Sequence, residues 1–251
     1  MSGHSKWSSI KHKKGAADAR RGKLFSKLSR AIIVAAREGG PDPAGNLALQ
    51  NAIEKARSYS MPKDTIERAI ARGAGADTDA AAFETVVYEG YGPNGVAVIV
   101  EALTDNRNRT ASDVRHVFSK HEGNLGGSGS VAWLFERRGM ILVDADSVDE
   151  DELMLAAAEG GADDVSLDGS TFQVVSDPEN LSSVREALEQ AGFTPEAVET
   201  TMVPKTTVTV DEETAARRLI RLIDALEELD DVNEVYANFD IPEHLLEAVA
   251  A

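Results

Sequence analysis

Nine basic side chains crowd the first thirty positions: Lys6, Lys11, Lys13, Lys14, Arg20, Arg21, Lys23, Lys27 and Arg30, against a single acid, Asp18. Cations at this density suit a polyanion. Each phosphate contact releases condensed counterions, and several together make binding strong and salt-dependent. Trp7 stands among them and could stack on an exposed base; packing against neighbouring helices is the alternative use of the same ring. A second pair, Arg107 and Arg109, falls within Thr104-Asp-Asn-Arg-Asn-Arg-Thr110, just before an expected helix that Thr110 or Ser112 could cap. Two arginines there could clamp phosphates or carboxylates, or pair structurally with Glu101 or Asp105.

Other constellations resolve into ordinary structure. Gly90-x-Gly92-x-x-Gly95 follows a strand, as a dinucleotide fingerprint does, but the fingerprint needs a helix next. The β-rich Val96-Ala-Val-Ile-Val100 follows instead, so Pro93-Asn94-Gly95 reads as a hairpin turn. The acids Asp144, Asp146 and Asp149 to Glu152 fail the EF-hand pattern, which needs Gly at its sixth position and Glu at its twelfth. They suit the first turn of a helix. Asp113 and His116 could share a helix face with His121 and Glu122 nearby, but a full metal-ligand set does not emerge. Neither a nucleophile elbow nor a phosphate-binding P-loop sequence is present. No cofactor, small-molecule substrate or enzymatic activity is therefore expected.

Charge is unevenly shared. The 251 residues carry a formal charge of −17, yet residues 1–75 hold fifteen Lys/Arg against six Asp/Glu, a net +9, leaving −26 on the remainder. This is a basic arm on an acidic body. Screening beyond about 8 Å lets a polyanion at the arm feel mostly the arm. The chain has no cysteine, which excludes disulfides, thiolate zinc sites and a cysteine nucleophile. Without an apolar run of membrane-spanning length, a cytoplasmic protein is expected.

The elements that must position these residues follow from periodicity. Residues 1–15 read as a polar arm that orders on a partner. Leu24, Leu28 and Ile32 mark a helix over about 16–37, and Lys23, Lys27, Arg30 and Arg20 fall opposite its apolar face. Shorter helices are expected over 46–58 and after Pro62. The period then switches. Strands are expected over 85–89, 96–102 and 130–135, with a helix over 110–121. From Gly139 the order is strand, helix, strand, strand, helix, strand, the ferredoxin-like arrangement. A strand over 205–210, a helix over 211–229, a strand over 232–239 and a terminal helix complete the chain. The fold class is α+β and multidomain. A basic arm and helical domain takes 1–78, and a central α/β domain takes 79–138 plus 205–251. An acidic ferredoxin-like domain, 139–204, is inserted into the latter.

The motifs also carry a resemblance. Ser2-Gly-His-Ser-Lys-Trp-Ser-Ser-Ile-Lys-His-Lys-Lys14 and Arg21-Gly-Lys-Leu-Phe-Ser-Lys-Leu28 resemble signatures of the YebC (PmpR) family. So do Tyr88-Glu-Gly-Tyr-Gly-Pro-Asn-Gly-Val-Ala97, Leu103-Thr-Asp-Asn-Arg-Asn-Arg-Thr110, and Gly123-Asn-Leu-Gly126 followed by Gly129-Ser-Val-Ala132. The resemblance implies three domains and two alternative roles. One is a DNA-binding transcriptional regulator; the other is a translation factor on the ribosome that eases proline-rich stalls. Between them, ribosomal RNA is the favoured ligand, because an adaptable arm suits folded RNA and no recognition helix for duplex DNA is evident. A protein-interaction adaptor working through the acidic domains is the reading from a different class.

Overall fold

The computed structural model describes residues 18–76, 83–146 and 148–250. Within them the chain divides into two compact units. One is residues 136–203; the other comprises the described residues on either side of it.

The larger unit begins with three helices: α1 (Asp18–Gly39), α2 (Leu47–Ser58) and α3 (Lys63–Ala71). Their apolar positions recur every three or four residues and meet in one core. Leu28, Ile32, Ile33 and Ala36 of α1 pack with Leu49, Ile53 and Ala56 of α2 and Ile66 and Ala69 of α3. Asn46 joins the first two helices with its whole amide. Its oxygen caps α2 by accepting from the Leu49 N–H, while its Nδ2 donates to the carbonyls of Ala35 and Gly40 at the end of α1.

The same unit contains a four-stranded antiparallel sheet. Its strands are β1 (Glu84–Tyr91), β2 (Ala97–Thr104), β3 (Asn124–Leu125) and β9 (Val232–Ala237), in the order β3-β1-β2-β9. Helices α4 (Arg107–Lys120) and α7 (Glu213–Glu227) supply Val114, Phe118, Leu219, Leu222, Ile223 and Leu226 to a core with Val96, Val98, Val100 and Val235. The glycine motif closes the β1–β2 hairpin through a short turn at Pro93–Gly95, as its residue types dictate. Gly90 has its own reason. A Cβ there would lie 2.6 Å from the Asn124 carbonyl oxygen and 2.8 Å from the Phe118 ring, so only glycine lets β3 and α4 approach.

Residues 136–203 form the second unit, built from β4 (Phe135–Asp144), α5 (Glu150–Gly160), β5 (Ala162–Asp168), β6 (Thr171–Ser176), α6 (Leu181–Gln190) and β7 (Pro195–Pro204). The strand order β5-β6-β4-β7 is ferredoxin-like. Asp149 caps α5 by accepting from the Glu152 N–H, so the acids of this segment serve a helix start. Gly161, at φ +91°, ends that helix in the left-handed conformation. Ile141, Val143, Leu153, Phe172, Val174, Val184 and Leu188 fill the core between sheet and helices.

Three local expectations are corrected. Residues 130–134 are a bend with a short 3-10 turn at Ala132–Leu134 rather than a strand, because the Glu89 carboxylate accepts the Val131 and Ala132 N–H groups that a ladder would otherwise use; only Phe135 is strand, as the first residue of β4. The strand over 205–210 shrinks to β8 (Val208–Thr209), pairing in parallel with β10 (Phe239–Asp240). Helix α4 starts earlier than expected. Asn106 caps it by accepting from the Arg109 N–H, which puts Arg107 and Arg109 inside the first turn and leaves Thr110 buried. A terminal helix, α8 (Glu243–Ala250), ends the described chain.

Replacing Leu28, which is 5% exposed, by alanine removes side-chain volume from the three-helix core. The expected cost is about 2–5 kcal/mol, read as a lowered denaturation midpoint in urea. An unchanged midpoint would mean that this core does not support the stability of the unit.

Candidate nucleic-acid interface

The basic residues singled out from the sequence fall into three groups. Lys6, Trp7, Lys11, Lys13 and Lys14 lie outside the described residues. Arg20 and Arg21 belong to the first turn of α1. Lys23, Lys27, Arg30, Arg107 and Arg109 are described in full, and each has partners within the chain.

Lys23, Lys27 and Arg30 form one stripe along α1, aimed at the C-terminal end of α7. Lys23 Nζ donates to the Glu228 carbonyl at 2.6 Å and pairs with Asp230 at 3.0 Å. Lys27 Nζ donates to the Glu227 carbonyl. Arg30 Nη1 donates to the Asp230 carbonyl at 2.8 Å and to Leu103 O at 3.3 Å, and its guanidinium lies 5.0 Å from the centre of the Phe83 ring. The last carbonyls of a helix lack partners along the chain and carry the negative end of its dipole. In α7 the last turn has no basic residue of its own. The cations of α1 supply what that end lacks.

Asp231 ties this contact to the loop that opens α4. Its carboxylate accepts from Arg109 Nη2 at 2.7 Å and from Thr110 Oγ1 at 2.8 Å, with Arg30 Nη1 at 3.4 Å. Arg109 also reaches Asp105 at 2.7 Å, and Arg107 pairs with Glu84 at 2.8 Å. Both arginines have carboxylate partners within the chain. Asp105 is a partner of Arg109, and Glu84 takes Arg107. On the neighbouring strand, Lys55 of α2 pairs with Glu234 of β9.

The open cleft beside this cluster has a volume of about 510 Å³. Three basic residues line it (Lys23, Arg30, Arg109), with five acidic ones (Asp105, Asp113, Glu228, Asp230, Asp231). That excess of acid makes the cleft a poor phosphate site. Among the described residues, no three His, Cys, Asp or Glu side chains come together as a metal site. No helix among them is long and apolar enough to cross a membrane.

The electrostatic states follow from the partners. Burial alone would raise the Asp231 carboxyl, but the Arg109 and Thr110 hydrogen bonds and the charges of Arg109 and Arg30 hold it below its ordinary value. Burial pushes the Lys27 ammonium down to about 8. Neighbouring Glu227, Glu234 and Asp230 oppose the shift, and Lys23 adds to it. The sequence contained a signal for this contact: α7 ends in Glu227 and Glu228, followed by Asp230 and Asp231, where the helix dipole disfavours acids. Such an end needs cations from elsewhere in the chain.

Comparison with known proteins places these features in a wider set. The family model for the TACO1/YebC protein N-terminal domain matches residues 5–76, and that for the TACO1/YebC second and third domain matches residues 83–239. A "Probable transcriptional regulatory protein" of Rubrobacter xylanophilus is 60% identical over 250 residues, covering 100% of both chains. A relative of the same name from Halothermothrix orenii is 52% identical over 99% of each. The crystal structure of a conserved hypothetical protein from Aquifex aeolicus superposes with a TM-score of 0.79 at 54% identity, covering 90% of this chain and 93% of that one.

Two outcomes test the contact. Asp231→Asn should lower the melting temperature, because it removes the carboxylate with which Arg109 and Arg30 pair. A depressed carboxyl contributes stability that is present above its unfolded pKa and lost as pH falls through the folded one. Thermal melts from pH 6 downward should therefore fall more steeply for the wild type than for Asp231→Asn. Lys27 acts in the alkaline range. Between about 8 and 10.5 the unfolded chain keeps the proton that the folded chain has released, so stability contributed by Lys27 rises with pH. Lys27→Met should lack that rise. Parallel pH profiles for variant and wild type would show that the ammonium is not desolvated.

Proposed function

Because the chain belongs to the TACO1/YebC family, we propose that it is a non-enzymatic nucleic-acid-binding regulator of gene expression, acting as a translation factor whose arm and helical domain grip ribosomal RNA. The observation that carries this reading is the segregation of charge: +9 on residues 1–75 against −26 on the rest. The contacts of α1 sharpen it. Lys23, Lys27 and Arg30 are engaged with the end of α7, so their role is to anchor the helical part. The phosphate contacts then fall to Lys6, Lys11, Lys13, Lys14, Arg20 and Arg21, with Trp7 beside them.

The acidic body favours RNA in a ribosomal cleft over long duplex DNA. A duplex brings further phosphates towards the body, where repulsion is screened but not abolished. Folded RNA admits the arm alone. What supports the alternative, a DNA-binding transcriptional regulator, is the name carried by the relatives from Rubrobacter xylanophilus and Halothermothrix orenii.

The full chain should co-sediment with ribosomes, and its binding should weaken steeply with salt. Replacing Lys11, Lys13 and Lys14 together with Glu should abolish that co-sedimentation while leaving the melting temperature nearly unchanged. Lys27→Met should leave co-sedimentation unchanged, because that ammonium is engaged within the chain. Absence from ribosomes, together with a roughly thousand-fold preference for one duplex over its scrambled counterpart, would establish the transcriptional reading instead. A flat salt response would reject a polyanion ligand altogether.

A further inference from the structure

We propose that Tyr91 and Trp133 form a second nucleic-acid contact, a stacking site for one unpaired base of a single strand, with Lys205 beside it for the phosphate. The inference rests on the nucleic-acid reading above but concerns a different part of the chain. Large aromatic rings are ordinarily drawn into cores. Here Trp133 is 66% exposed and Tyr91 37%. They stand on separate elements, the 3-10 turn at 132–134 and the end of β1.

Both rings are held in place while exposed. Tyr91 Oη donates to the Ser130 carbonyl at 3.0 Å, and Trp133 Nε1 donates to that same oxygen at 3.1 Å. The polar tips of the two side chains thus converge on one atom. The loop that presents them is fixed in turn by Glu89, 5% exposed, whose carboxylate accepts from the backbone N–H groups of Gly129, Val131 and Ala132 at 2.6–2.8 Å. Those three donors hold the Glu89 carboxyl below its ordinary value although burial alone would raise it, so it remains a charged acceptor at neutral pH. Ordering a ring before binding lowers the entropy lost on binding. A solvent-exposed indole with both its hydrogen bond and its loop fixed is preorganised for a planar ligand.

The charge beside the rings points to the kind of ligand. Lys205 is exposed, and its backbone N–H donates to the Leu134 carbonyl at 2.8 Å, next to Trp133. Gly127 and Gly129 leave open space on the loop, since a Cβ at either would meet nothing within 4 Å. An aromatic face with a cation alongside and small residues around it matches a base with its phosphate. Stacking tolerates any base and needs the base unpaired, so the site favours loops and single strands over an intact duplex.

The test uses the full chain and a fluorescently labelled short oligouridylate, its abasic counterpart, oligothymidylate, and a proline-rich peptide as the apolar control. Trp133→Ala should weaken oligouridylate binding about tenfold, within the range for one stacked base, and leave the abasic strand unaffected. Its melting temperature and the salt slope of binding should stay at wild-type values. Trp133→Phe should recover most of the affinity. Lys205→Ala should weaken both strands alike and reduce the single-strand log–log salt slope by about 0.7. Equal weakening of oligouridylate and oligothymidylate supports a site for any single strand; a loss confined to oligouridylate supports one for RNA. Wild-type affinity in Trp133→Ala, or equal loss on the abasic strand, overturns the stacking site while leaving the arm intact as the main contact. Binding of the peptide at Trp133 in place of either strand overturns it in favour of a protein ligand. If the wild-type chain binds neither strand nor ribosomes, this site and the proposed function fall together.

Discussion

The contact on which the larger unit depends is the capping of one helix by the side chains of another. Helix α7 ends in acids where its dipole is already negative, and nothing in its own last turn offsets them. Lys23, Lys27 and Arg30 arrive from α1, two hundred positions or more earlier in the chain; the lysines donate to the Glu228 and Glu227 carbonyls at the helix end, and Arg30 to the Asp230 carbonyl just past it. Each group needs the other. Without α7 the α1 stripe would be a row of free cations, and without α1 the end of α7 would hold unpaired carbonyls beside like charges. Asp231 extends the arrangement to the first turn of α4 through Arg109 and Thr110. A few polar contacts thus determine how the helical core meets the sheet. Apolar packing holds each core together but specifies orientation less sharply.

Much of the fold was legible because its signals are local. The four-residue recurrence in α1, the switch to alternation at the β1–β2 hairpin and the strand–helix order after Gly139 depend on periodicity within short windows. The glycine-rich turn was read from its chemistry, and Gly90 adds a reason only packing reveals, since its excluded Cβ would meet α4 and β3. The bend at 130–134 was not legible. Its apolar run from Val131 resembles a strand, and the group that prevents a ladder, Glu89, lies some forty positions away. The α4 cap was misplaced because three of the residues there, Asn106, Thr110 and Ser112, can all cap. The Asp231 carboxylate and the Thr104 hydroxyl, both met only in three dimensions, hold the Thr110 hydroxyl inward.

The site was legible in outline and not in its division of labour. Charge density marks residues 1–30 as basic, but it does not separate a cation facing solvent from one facing an acid distant in sequence. That distinction required the run Glu227, Glu228, Asp230 and Asp231 to be read as a demand for partners, not as a solvated tail. The aromatic pair at Tyr91 and Trp133 escaped for a similar reason. Each ring alone reads as core, and their shared acceptor at Ser130 is visible only in three dimensions.

The open sheet of residues 136–203 has a further consequence for self-association. A sheet with strand order β5-β6-β4-β7 leaves β5 and β7 at its margins, and such strands invite pairing with another copy. On β5, Asp163 and Asp164 stand exposed, and the register shifts between Ala162 and Asp164. On β7, Glu196 is exposed and Glu199 lies three positions on. Two copies that met edge to edge would bring like charges together along a ladder already broken by a bulge. The acidity of this unit is therefore a barrier to self-templated aggregation, retained whatever partner the rest of the protein takes.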